Sequence, residues 1–463
     1  MRMLSKVISI DESPLLSTRS SSSSRNVEGN DHDVASNNNS GLLSREEEEN
    51  FIQSPWKDCI LIFVASIGCT IPYTSVLSNL VFYTQTIGVK SYLILNIAIY
   101  GPMLPITILQ TIWDGKFDSS YGSYNTYFFR GNIGFLLSLI CLLMMPFISH
   151  LMGLSIVAFF MGLASSVLHG MLKQMASFIY PGCGRLAASV AAGMQASALP
   201  TLAISLWTGF GRCESKDGIF AFYFYIAVIL VLCWICFQVL ITKCLGVRKG
   251  MERHDSLLSF HDESQTNLLS EDETDQNNGM EETTDVSLDE DLYEALTMKQ
   301  LWKKSRVAVM IIIMTVASSM TVAGWLNRVQ SENPTNQAFP QVLFYVRLFG
   351  DLLGRPATLY YAPSSLSSHL KLATSIRLLF LPLFFVYVNT NFLPKKDIAA
   401  IFGIFAFAFS SGYLVTCSYQ LAPLLLDNEE RGRNLTKQNG LINVCFSFSI
   451  LLGFALTFAI GLV

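Results

Sequence analysis

Residues 347–355 read Arg347-Leu348-Phe349-Gly350-Asp351-Leu352-Leu353-Gly354-Arg355, in the middle of an apolar segment from Phe339 to Tyr361 that is long enough to cross a bilayer. On a helix Arg347, Asp351 and Arg355 recur every four residues and share one face, so Asp351 can pair with either guanidinium. A charged side chain at mid-bilayer costs roughly 2.5 to 3.5 kcal/mol even on the lenient insertion scale, so this face belongs against a bundle interior or a watery cavity. Two roles are open for the triad: a solute site, or a buried ion-pair staple that locks helices together. Gly350 and Gly354, also four apart, allow a second helix to approach closely under either role.

The surrounding chain is built for lipid. Of 463 residues 51% are hydrophobic and 14% charged, against about a quarter charged in soluble domains. Apolar runs near 58–83, 91–113, 129–149, 151–174, 186–208 and 220–242 predict six spans, and runs near 307–327, 340–361, 370–389, 397–417 and 438–461 predict five more. The fold class is therefore an all-α membrane protein of eleven transmembrane helices in a 6+5 arrangement. Its parts are a disordered cytosolic tail over 1–54, helices 1–6 over 55–245, a disordered acidic cytosolic loop over 246–306, and helices 7–11 over 307–463.

The net charge of -4 lies mostly in the two polar segments, and no basic domain suggests a nucleic-acid partner. Cys233-Trp-Ile-Cys236 sits in an apolar run, where a thiol is a small hydrophobe rather than a redox or metal group. The start, Met1 to Ile10, lacks the sustained apolar core of a signal peptide. Asp11-Glu-Ser-Pro-Leu15-Leu16 resembles an acidic dileucine signal, which implies sorting adaptors and a vacuole or lysosome, with the plasma membrane as the alternative. Twelve lysines and arginines, from Lys116 to Arg433, flank the spans on one side, against six, from Lys90 to Lys396, on the other. That bias places the N-terminus in the cytosol.

Prolines at 72, 102, 105, 200 and 382 interrupt spans, and each frees a carbonyl that needs a partner, as at the hinges of alternating-access carriers. Polar side chains at depth include Gln110, His169, Lys173, Gln195 and Arg377. Amides and an imidazole both donate and accept hydrogen bonds, which suits a neutral polar solute. Hydrolase, phosphate-loop and metalloprotease motifs are absent, so neither an enzyme, a cofactor nor a metal is expected.

The run Gly350-Asp-Leu-Leu-Gly-Arg355 resembles the eighth-helix Asp-x-x-Gly-Arg signature of equilibrative nucleoside transporters. Pro72-Tyr73 with Phe82-Tyr83, the glycine-rich stretch from Gly162 to His169-Gly170, Arg377-Leu-Leu-Phe-Leu-Pro382-Leu, and Phe409-Ser-Ser-Gly412-Tyr-Leu are similar to that family's first, fourth, ninth and tenth helices. The resemblance implies a major-facilitator-like alternating-access bundle that works as a monomer and moves nucleosides, with nucleobases also in view, by facilitated diffusion.

It also implies roles by position. Asp351 orients Arg355, which hydrogen-bonds ribose or base; His169 stands where a glutamine reads a base edge; Tyr73 and Leu77 wall the base; Gln195 completes the site; and Arg347, Arg377 and Gln110 belong to a gating or supporting network. Departures fall at Tyr73-Thr74, His169, Arg347, Leu348 and Ser411, and they leave another small polar or cationic solute open. An intramembrane histidine also allows proton coupling. A second class of reading is a non-transporting scaffold regulated through the loop, whose Ser256, Ser264, Ser270 and Thr274 lie among acids.

Overall fold

A segment inside a bilayer must pair its own N–H and C=O groups, and a helix does so without help from a neighbouring strand. The computed structural model describes residues 56–88, 90–179, 184–209, 217–256, 296–333, 339–361, 368–390, 395–426 and 428–461, and every regular element among them is helical. The first half comprises α1 (Trp56–Ser78), α2 (Leu80–Ile87), α3 (Lys90–Tyr100), α4 (Met103–Tyr121), α5 (Ser123–Met144), α6 (Leu151–Phe178), α7 (Gly184–Ala196), α8 (Ala198–Thr208) and α9 (Asp217–Lys243). A short helix, α10, occupies 245–256. The second half comprises α11 (Met298–Trp325), α12 (Phe339–Tyr360), α13 (Ser368–Asn389), α14 (Asp397–Leu421) and α15 (Asn428–Gly461).

Ten stretches are long and apolar enough to cross a membrane, with α3 and α4 joining into one and α7 and α8 into another. The helix outside that set is α12: it has 22 residues, and any span-length window in it contains Arg347, Asp351 and Arg355. This one charged helix is the difference between ten and the eleven spans expected from the sequence.

Several helices run past their apolar limits. α11 begins at Met298, ahead of the expected 307, because Thr297 caps it: the Thr297 hydroxyl accepts from the Gln300 N–H at 3.4 Å while the Gln300 side chain accepts from the Thr297 N–H at 2.8 Å. The expectation of a disordered loop from 246 also needs correction at its start, where α10 forms. Val247, Gly250, Met251 and His254 fall on one face of α10 and are buried; that spacing lays a stripe against the body of the protein. Residues 1–55 and 257–295, with Asp11, Leu15 and Leu16 in the former, lie outside the described residues.

The first half packs around one large apolar cluster drawn from α1, α2, α3, α5, α6, α7, α9 and α10, whereas the second half has three smaller clusters, one of which takes in Met103 of α4. Within the second half α12 lies closest to α14. A Cβ on Gly354 would sit 2.1 Å from the Phe409 carbonyl oxygen, and one on Gly412 would sit 2.1 Å from the Asp351 carbonyl oxygen. Only hydrogen fits at either position, so the two backbones run in contact. The halves meet where α7 and α8 face α12 and where α15 faces α3, α4 and α6.

Candidate solute cavity between the two halves

Two interrupted helices of the first half, α1 and the pair α7 and α8, pack against each other beside α12. Pro72 has no N–H to give the Gly68 carbonyl, and Pro200 leaves the Ala196 carbonyl without its helical donor. Hydroxyls knit the weakened turns together: Thr70 Oγ1 donates to the Met194 carbonyl, and Thr74 Oγ1 lies 3.1 Å from Ser197 Oγ at the break between α7 and α8. Proline and hydroxyl positions thus fix where α1 and α7 present side chains inward.

Between the halves lies a cavity of about 130 Å3, on the order of the space that holds a single six-membered ring. Tyr73, Leu77, His169, Gln195, Arg347 and Arg355 all line it, joined by Asn96, Tyr100, Lys173, Phe344, Phe446 and Phe454. Tyr100 is the hub of its aromatic wall, with ring centroids 5.8 Å from Tyr73 and 5.4 Å from Phe454. A smaller cavity of about 60 Å3 lies among α6, α7, α12, α14 and α15, and Lys173 and Arg355 line both.

Asp351 stands behind the wall rather than in it. Its carboxylate accepts from Arg355 Nη2 at 2.9 Å and Nε at 3.3 Å, and from the side-chain amide of Gln195. Arg355 also donates through Nη1 to the Ala191 carbonyl on α7 at 3.0 Å. The guanidinium has five donors, so part of the fork remains for the cavity. Between the two partners that sequence offered, Asp351 takes Arg355. Arg347, one turn earlier, makes its described contact with the Met320 sulfur at 3.8 Å, and among the described residues it has no ion-pair partner.

His169 stacks on Phe446, with centroids 5.4 Å apart at 28°. Both of its ring nitrogens are buried and lack a hydrogen-bond partner in the protein. One turn on, Lys173 Nζ donates to Tyr419 Oη at 2.7 Å and lies over the rings of Tyr419 and Phe446, at 3.9 and 4.3 Å from their centroids. Tyr419 in turn donates to Asn443 Oδ1 at 2.9 Å. At this part of the cavity Lys173 is therefore held by a tyrosine hydroxyl and two aromatic faces, with no ion-pair partner among the described residues.

Two expected network residues lie elsewhere. Gln110 on α4 donates to the Val167 carbonyl of α6 at 3.1 Å, bracing the turn that carries His169 without entering the cavity. Arg377 on α13 is 4% exposed and ties α11 to α14: Nε reaches Ser318 Oγ at 3.2 Å, Nη1 reaches Ser410 Oγ at 2.7 Å and the Phe407 carbonyl, and Nη2 reaches Ser319 Oγ at 2.5 Å. Its guanidinium also covers the Phe407 ring at 3.6 Å. Sequence reasoning marked Lys173 as a polar residue at depth but left it out of the site. It also passed over Tyr100, Phe446 and Phe454, because an aromatic residue in an apolar span carries no mark of which way it faces.

The comparisons agree with this architecture. A bacterial homologue of the human lysosomal transporter Spinster, solved inward-facing and unoccupied, is similar at TM-score 0.52 and 10% identity over 87% of this chain and 82% of its own. The proton:xylose symporter XylE of the major facilitator superfamily, bound to 6-bromo-6-deoxy-D-glucose, reaches TM-score 0.56 at 10% identity over 89% of each chain. A POT family transporter in complex with 5-aminolevulinic acid reaches 0.52 at 12% identity over 87% of this chain and 94% of its own. At such identities the likeness shows the fold, which is that of the major facilitators. A comparison with curated proteins finds no match. The family model described as nucleoside transporter matches residues 151–461, more than half of the chain and all of the second half with its charged helix. The chain accordingly belongs to the nucleoside transporter family and is a multi-pass membrane transporter rather than an enzyme.

Proposed function

We propose that the chain carries nucleosides or nucleobases across its membrane by facilitated diffusion, through alternating exposure of the cavity between its halves. The observation that carries this reading is the Arg355 guanidinium, fixed by Asp351 on its own helix and by the Ala191 carbonyl of the opposite half, and edging an aromatic-walled cavity of ring size. Fixed donors beside aromatic faces suit a base or ribose: the faces stack, at roughly 1 to 3 kcal/mol per base where such platforms have been measured, while the donors set orientation. In this reading α12 is an eleventh span in a 6+5 arrangement, with its charges turned from lipid. The N-terminus and the loop containing α10 are cytosolic, and one chain suffices. The membrane is that of a vacuole or lysosome, addressed through Asp11, Leu15 and Leu16.

A proton-coupled cycle is a second reading, favoured by His169, whose two ring nitrogens lack protein partners at the cavity wall. Uptake of labelled uridine, adenosine and hypoxanthine into proteoliposomes, with and without a proton gradient, tests both readings. Saturable flux that Arg355→Ala removes supports the carrier, and flux that follows the gradient in the parent but not in His169→Gln assigns the coupling. Folded protein that moves none of the three solutes refutes the nucleoside reading.

A further inference from the structure

We infer that the cavity favours a solute carrying a negative charge and that Arg347 is the residue that reads it. The inference rests on the nucleoside-type cavity above and extends its solutes to acidic derivatives of nucleosides and bases. Three basic side chains, Lys173, Arg347 and Arg355, line the two cavities, and among the described residues no aspartate or glutamate lines either. The nearby carboxylate, Asp351, is committed to Arg355 and Gln195 behind the wall.

The three basic groups differ in what they already hold. Arg355 has a carboxylate and a carbonyl, and Lys173 has a tyrosine hydroxyl and two aromatic faces. Arg347 has a thioether sulfur at 3.8 Å, a weak acceptor that does little for a full charge. A half-buried guanidinium at the cavity wall without a counter-charge among the described residues is a place where an anion entering the cavity would supply one. Two oxygens of a phosphate or a carboxylate match the planar guanidinium fork through paired charge-assisted bonds. The two guanidiniums repel a positively charged solute.

The layout also limits the shape of the solute. Arg347 and Arg355 stand eight residues apart on α12, which is about 12 Å along a helix, and Tyr73, Tyr100 and Phe344 line the same cavity. A ring with an acidic group at one end meets both features: the ring lies against the aromatic wall and the acid meets Arg347. Phosphorylated nucleosides and carboxylated bases share this chemistry.

Proteoliposomes given uridine, uridine monophosphate or orotate test the inference, using the parent, Arg347→Leu and Arg347→Lys. The expected result is that at least one anion enters faster than uridine. The ratio of anion to uridine uptake falls on the order of tenfold or more in Arg347→Leu, as removal of a charged partner implies, and is largely kept in Arg347→Lys. Entry of the monophosphate alone names phosphate as the group, orotate alone names carboxylate, and entry of both shows that charge suffices. Uptake of uridine with neither anion overturns the inference and leaves the nucleoside carrier standing. An anion-to-uridine ratio unchanged in Arg347→Leu removes Arg347 from the role, and no flux of any of the three overturns both readings.

Discussion

Arg355 Nη1 lies 3.0 Å from the carbonyl oxygen of Ala191, a bond made from α12 in the second half to α7 in the first. The same side chain holds Asp351 one turn back on its own helix at 2.9 Å. One residue thus joins the halves, neutralises the buried carboxylate and faces the cavity, a position that serves both the staple and the proposed site role.

Arg355→Ala should abolish uptake and also weaken the protein, because the largely buried Asp351 would keep only Gln195 as a partner. Breaking a buried pair from one side costs about 3 to 5 kcal/mol. Arg355→Ala with Asp351→Asn should recover much of the stability, since the stranded charge is gone, but not the flux. Thermal unfolding in detergent beside liposome uptake separates the two effects.

Arg377 predicts the opposite split. It lies outside both cavities and is satisfied by Ser318, Ser319, Ser410 and the Phe407 carbonyl. Arg377→Ala should lower the melting temperature and the folded yield, with the loss concentrated in the joint of α11, α13 and α14. Protein that does fold should keep a KM near the parent's; a KM raised tenfold with unchanged melting would place Arg377 in the solute path.

Gly354→Ala and Gly412→Ala should each drive α12 and α14 apart, because the added carbon would meet a backbone oxygen at 2.1 Å. Overpacking of this kind costs typically about 1 to 3 kcal/mol, occasionally more. Asp351 sits at that contact, so uptake should fall with stability, whereas Gly403→Ala, whose nearest neighbour would be 3.6 Å away, should be mild in both assays.

Asp118, on α4 beyond its membrane-crossing part, is 1% exposed, and burial pushes its carboxyl up to about 7, with Arg130 opposing and Asp114 and Asp255 adding to the rise. An unfolded aspartate releases its proton near 3.9, so between those values the folded chain holds a proton that the unfolded chain has lost. Stability contributed by this group is therefore present at low pH and declines as pH rises through the window. Asp118→Asn should remove that decline: its melting temperature relative to the parent should rise between about pH 5 and about pH 8. A difference that stays flat over that range would show that another group controls the slope.

Much of this was legible because charge inside apolar sequence is conspicuous. Arg347, Asp351, Arg355 and His169 stand out in their runs, and the helix period alone put the first three on one face. Choosing between Arg347 and Arg355 as the partner of Asp351 was not legible, since both sit one turn away; Ala191 and Gln195, on another helix, tip the choice toward Arg355. Arg377, also a charge at depth, pointed only to a gating or supporting network. A buried guanidinium announces itself in sequence, but the serines that satisfy it lie on α11 and α14, and their pairing exists only in three dimensions. α10 was hidden by its setting, because Val247, Met251 and His254 form a short stripe at the head of a polar, acidic run.

That helix changes how the two halves are joined. His254 of α10 lies 2.9 Å from Ser123 Oγ through Nδ1 and 3.3 Å from Thr436 Oγ1 through Nε2, touching α5 in one half and α15 in the other. The linker is therefore a clasp as well as a tether. If the halves rock about the cavity, Ser123 and Thr436 separate and His254 must let go of one of them in every turnover. Part of the barrier that times the cycle then lies at this clasp, at a distance from the solute itself.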